Sequence, residues 1–152
     1  MLQELAETGL FVFHGSDNPD IEELEPRQAY DKGKPDGQPA VCAAINPDLT
    51  IFKSLMPKFS AGWTRINGEM LLLLKEKGDE EMKDKKGFVY ILDKVLFSPD
   101  CNETGDWRAY KEIKPISKVK VGINDAPPFQ VLSEEEYVKF WKERRKALKK
   151  EK

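Results

Sequence analysis

Between Ser117 and Ile123 apolar and basic side chains alternate, with Val119, Val121 and Ile123 on one face and Lys118 and Lys120 on the other. Successive residues of a strand point to opposite sides of a sheet, so a period of two predicts a strand with one face on a core and one in water. Such half-exposed strands are characteristic of antiparallel sheets, because parallel strands are covered on both faces. The unbroken β-forming run Gly87-Phe88-Val89-Tyr90-Ile91-Leu92 predicts a more deeply buried companion. Leu10 to Phe13 reads the same way and is stopped by Gly15, while Ala40 to Ala44 and Trp107 to Ile113 supply two further strands.

Helical signals lie between these runs. Leu2 to Thr8 predicts a short opening helix ended by Gly9, and Asp48 is placed to cap a helix over Leu49 to Met56, closed by Pro57. The helix formers from Met70 to Lys77 predict a further helix, although four consecutive leucines also suit a buried strand. Gly78 to Lys86 reads as a charged, solvated turn and Asp93 to Thr104 as a loop. Arg27 to Pro39, with two Gly and two Pro, reads as a long loop of the kind used as a functional lid. Ser133-Glu134-Glu135-Glu136 is a capping box opening a terminal helix over 133–150, whose Tyr137, Phe140, Trp141 and Leu148 share one stripe.

Together these elements predict an α+β fold, and 152 residues suit one domain spanning 1–152. The first residues carry no basic start with a long apolar run, and no stretch approaches the roughly 20 apolar residues that span a bilayer, so a cytoplasmic protein without a membrane partner is expected. Two distant cysteines, Cys42 and Cys101, indicate neither a disulfide framework nor a zinc knuckle. The 25 basic and 27 acidic residues nearly cancel, yet seven of the eleven residues from Lys142 to Lys152 are basic. That tail is a candidate for weak contact with nucleic acid or an acidic partner.

The chemistry is narrowed by what is missing. One histidine excludes a His-rich metal site, so no metal is expected, and no Walker loop, G-x-G-x-x-G turn or G-x-S-x-G elbow occurs. What remains is Phe13-His14-Gly15-Ser16 at the end of the first strand. An imidazole can hydrogen-bond a ribose hydroxyl, a glycine lets a flat ring approach the backbone, and Ser16 adds a donor and acceptor. His14-Gly15-Ser16 also suits a tight turn after a strand.

The order of elements resembles the ADP-ribosyltransferase superfamily: a strand ending in F-H-G-S, the segment Ile21-x-x-Leu24-x-Pro26, a long loop, a small-residue strand running into a helix, and later strands. The resemblance spans roughly residues 10 to 123 and implies a split, mainly antiparallel sheet with flanking helices. It implies NAD as substrate, with His14 on the adenosine ribose and Gly15 gripping the nicotinamide carboxamide; the Ser16 hydroxyl completes the candidate NAD-binding set on its own chemistry. Ala43 and Ala44 stand in the second motif strand, where relatives carry a stacking Tyr, and Tyr30 or Tyr90 is the available substitute. Relatives place a Glu at the start of a late strand to stabilise the oxocarbenium-like cation; the matching place here holds Asp106, with Glu103 three residues earlier. The acceptor would be a protein or a nucleic acid. The alternative is a catalytically inactive member of the same fold that binds NAD or ADP-ribose, or a module that binds protein or RNA.

Overall fold

The computed structural model describes residues 1–31, 34–57, 60–99 and 106–150. Along the chain run α1 (Leu2–Glu7), β1 (Phe11–Ser16), β2 (Arg27–Asp31), β3 (Lys34–Ala43), α2 (Pro47–Leu55), β4 (Ala61–Ile66) and β5 (Glu69–Lys75). After them come α3 (Gly78–Lys83), β6 (Gly87–Asp93), β7 (Ser98–Pro99), β8 (Trp107–Ala109), β9 (Ser117–Val121), β10 (Gln130–Leu132) and α4 (Glu134–Lys150). The architecture is α+β, with mostly antiparallel sheets and a C-terminal helix. Two compact units form, one from Met1–Leu55 and Lys86–Ala126, the other from Met56–Lys85 and Pro127–Lys152.

In the first unit β6 is the centre of an antiparallel sheet ordered β1-β6-β9. Val121 is buried while Lys118 and Lys120 are exposed, as the alternation requires. A second sheet is ordered β2-β3-β8-β7. β1 carries core on both faces, since Val12 and Phe13 are both fully buried. Val12 joins Leu24, Val41, Ala43, Tyr90, Leu92 and Ile113 in one cluster.

The other face of β1 and β6 receives α2, and two glycines make the approach possible. A Cβ on Gly15 would collide with the Thr50 carbonyl, and one on Gly87 would collide with the Ser54 side chain. The helix therefore settles closely enough to bury Thr50, Ile51, Phe52, Ser54 and Leu55. The two buried hydroxyls are satisfied within the helix, Thr50 Oγ1 donating to the Pro47 carbonyl and Ser54 Oγ to that of Ile51, each at 2.7 Å.

The region expected to be a lid-like loop is instead a hairpin, β2 on β3, with a register shift between Arg27 and Ala29. Pro35, Gly37 and Pro39 lie in β3, whose ladder with β2 is irregular. Asp48 does not cap α2: its own amide donates to Asn46 Oδ1 at 2.9 Å, so Asn46 supplies the capping oxygen.

In the second unit the segment expected as a helix from Met70 is the strand β5, paired with β4 from Ala61↔Leu74 to Ile66↔Glu69. The hairpin turns at Asn67-Gly68, both at positive φ, 52° and 80°. A two-residue connection of that kind matches the twist of a hairpin, and it overrides the helix propensity of the leucines. Leu72, Leu73 and Leu74 are buried in succession, with β10 parallel along the far edge of β5. Gly78 to Lys83, expected as a solvated turn, is the helix α3, held by the fully buried Met82. The capping box opens α4 as expected, the Ser133 amide donating to Glu136 Oε1 and the Glu136 amide to Ser133 Oγ, each at 3.2 Å.

Candidate functional site

β1 bridges the residue just past β3, where Phe13 and Ala44 exchange both backbone hydrogen bonds at 2.8 and 2.9 Å. In a continuing antiparallel ladder the next exchanged pair would be Gly15 with Cys42. Instead the Cys42 carbonyl accepts from His14 Nδ1 at 2.9 Å. The imidazole therefore occupies the point at which β1 leaves β3. β2 pairs with β3 farther back, beginning at Arg27↔Ala40.

Between these two departures opens a cleft of about 760 Å³, lined by His14 and Ser16, by Arg27 and Gln28, by Ala40 to Cys42, and by much of the loop from Asp17 to Glu25. That loop is tethered from several sides. The Tyr90 hydroxyl donates to the Asn18 carbonyl at 2.6 Å and accepts from the Ile21 amide at 3.2 Å. Ser16 Oγ accepts from the Asn18 amide, Lys118 Nζ donates to the Pro19 carbonyl, and Leu24 exchanges backbone bonds with Ile113. Tyr90, only 1% exposed, thus belongs to the core and anchors the wall of the cleft.

Burial, more than anything else, holds the His14 imidazolium below its ordinary range. The bond to Cys42 works the other way, while the positive charges of Lys53 and Arg27 push it further down. Because a carbonyl can only accept, Nδ1 carries the proton of the neutral ring and Nε2 is left with a lone pair. In that tautomer Nε2 is the ring's acceptor atom.

Lys53 of α2 is the charged residue that the sequence reading passed over. Its ammonium is pushed below the usual lysine range by burial, an effect opposed by Asp106 and Cys42. The other positions of that helix from Leu49 to Leu55 are all buried, which draws Lys53 in with them and is visible only in the fold. Asp106 immediately precedes Trp107, the partner of Ala43, so it arrives beside the end of β3 that Phe13 bridges. Lys53 is thus charge-coupled both to His14 and to Asp106.

Of the residues expected at a nucleotide site, His14 and Ser16 line the cleft. Gly15 lies in β1 with Thr50 packed where a side chain would begin. Ala43 and Ala44 are buried in and beside β3. Asp106 is half-buried and is not one of the residues lining the cleft. Glu103 and the side chain of Tyr30 lie outside the described residues. The rim is acidic, with Asp17, Asp20, Glu22, Glu23 and Glu25 exposed, and Arg27 is the cation among the lining residues. Among the described residues no group of three His, Cys, Asp or Glu gathers at metal-binding distance. Among the described residues no helix is long and apolar enough to cross a membrane.

Comparison with protein-family models, with curated proteins and with solved structures finds no match for this chain.

Proposed function

We propose that the cleft beside His14 binds NAD and that the protein moves ADP-ribose from it to a protein or nucleic-acid acceptor. The observation that carries this reading is the neutral imidazole at the strand divergence, with Nδ1 engaged by Cys42 and Nε2 left as an acceptor for a ribose hydroxyl. A cleft of about 760 Å³ falls in the range of roughly 300–1,000 Å³ that takes small molecules and cofactors. The acidic rim narrows the ligand further. Five carboxylates against Arg27 repel a nucleoside triphosphate or a further 2′-phosphate more strongly than NAD, whose pyridinium offsets part of the pyrophosphate charge. In this reading Asp106, held near Lys53, is the carboxylate that would face the developing cation; Glu103 is the alternative.

One observation favours a second reading, a nucleotide-binding module without turnover: Asp106 is not among the residues lining the cleft. Incubation with NAD separates the two. Release of nicotinamide that is lost in both His14→Ala and Asp106→Asn supports transfer, whereas calorimetric binding without nicotinamide release supports the binding module. Failure of NAD to bind at all removes both.

A further inference from the structure

The C-terminal helix α4 has two faces. Tyr137, Phe140, Trp141, Arg144 and Leu148 are half-buried, and they dock against the hairpin of the same unit. A Cβ on Gly62 of β4 would sit 2.6 Å from the Trp141 ring, and Lys75 of β5 lies over the Tyr137 ring at 5.3 Å. Arg144 fixes the helix lengthwise, Nε donating to Thr64 Oγ1 at 3.1 Å and Nη2 to the Arg65 carbonyl at 2.7 Å.

The opposite face is different. Lys139, Lys142, Lys146 and Lys149 follow one another at spacings of three, four and three, which puts them on a single line along the helix. Arg145 and Lys150 flank that line, all six side chains are exposed, and the acids near it among the described residues are Glu143 and, one turn before Lys139, Glu135 and Glu136. Helix-dipole compensation accounts for basic residues in the last turn, here Lys149 and Lys150, and falls off beyond it. Lys139, Lys142, Arg145 and Lys146 need another reason.

We infer that this stripe binds the phosphate backbone of a nucleic acid without reading its sequence. From Lys139 to Lys150 the helix rises about 16 Å, so the stripe is a linear array of charge matched to another linear array of charge. Its cations are mostly lysine, compact point charges that neutralise phosphates without the fixed bidentate geometry of arginine, which suits contact that does not depend on sequence. A bilayer surface is a poorer fit, because an amphipathic helix binds lipid through its apolar face and that face is already engaged by β4 and β5. The inference is independent of what the cleft binds.

The test is fluorescence anisotropy of the full chain with a labelled single-stranded RNA of about 20 nucleotides and a DNA duplex of similar length, across roughly 50–200 mM salt. Contact between the four aligned lysines and four phosphates predicts a slope of log K against log salt near −3.6 for the duplex, about a 100-fold loss of affinity over that range. Lys142→Glu with Lys146→Glu, both pointing away from the docked face, should weaken binding at least about tenfold and flatten the slope by about two, with the melting temperature unchanged. Three results overturn the inference: no binding of either nucleic acid at the lowest salt, binding that the double variant leaves intact, or equal affinity for polyglutamate or phosphatidylserine vesicles.

Discussion

Replacing Gly15 with alanine tests how closely α2 is seated on β1. The new methyl would overlap the Thr50 carbonyl oxygen and lie 3.0 Å from its carbon and 3.3 Å from the Ser54 amide nitrogen. All of these are backbone atoms of a helix, so no side-chain rotation relieves the contact and the helix as a body must retreat by about 1 Å. Such a gap forfeits a quarter to a half of the dispersion attraction of the side chains it separates, here Phe52 and Leu55, both 0% exposed. Overpacking of this kind costs about 1–3 kcal/mol, and the rigidity of the obstacle puts Gly15→Ala near about 3 kcal/mol. For a chain of this size that lowers the melting temperature by roughly 6–12 °C. Thermal melts followed by circular dichroism, supported by urea midpoints, read this directly. A change within about 2 °C would mean that Gly15 is not present for packing and that the account of the helix–sheet junction is mistaken.

Three further outcomes follow from the same geometry. Tyr90→Phe removes the hydroxyl joining Asn18 and Ile21, so it should cost about 1–2 kcal/mol and speed hydrogen exchange at the Ile21 amide; unchanged exchange there would mean that the loop is held by other contacts. Because the folded state lowers the His14 pKa, the unfolded chain takes up the proton first on acidification. The stability linked to His14 is therefore complete above pH about 6.5 and is lost as pH falls toward the folded value. Urea midpoints of His14→Gln should fall less than those of wild type between pH about 7.5 and 5, and equal slopes would contradict the burial of the ring. Arg144→Met should cost about 1 kcal/mol by removing two hydrogen bonds to the hairpin, and an unaltered urea midpoint would mean that aromatic contacts alone seat the helix.

Where the chain obeyed one local rule at a time, its sequence was easy to read. The period of two in Ser117–Val121, the β-forming run of Gly87–Asp93 and the serine and glutamate of the capping box each predict their own element. Legibility failed where pairing overrode propensity. The leucines of Glu69–Lys75 are good helix formers, and only the partnership with Ala61–Ile66 across Asn67-Gly68 makes them a strand; that turn dipeptide was the available clue. Lys34–Ala43 carries Gly and Pro that look like loop, and it is held as a strand by Arg27–Asp31 on one side and by Trp107–Ala109, distant in sequence, on the other.

The site divides in the same way. His14 was legible because it is the one histidine and stands at a strand end, but its bond to Cys42 depends on the divergence of β1 from β3. Lys53 was not legible as a site residue, since a lysine on a helix ordinarily faces water and its coupling to Asp106 and His14 exists only in the fold. The acidic rim reads in sequence as dispersed solvated charge, and the tether of its loop to Tyr90 gathers it around one opening.

The presence of a single histidine makes the central claim directly observable. Its imidazole resonances in a proton spectrum belong to His14 alone, and titration with NAD should move them along a saturable curve while adenosine triphosphate moves them far less. If NAD leaves those signals where they stand at concentrations up to about 1 mM, where even a weak site of about 4 kcal/mol would be half filled, the cleft is not a pyridine-nucleotide site.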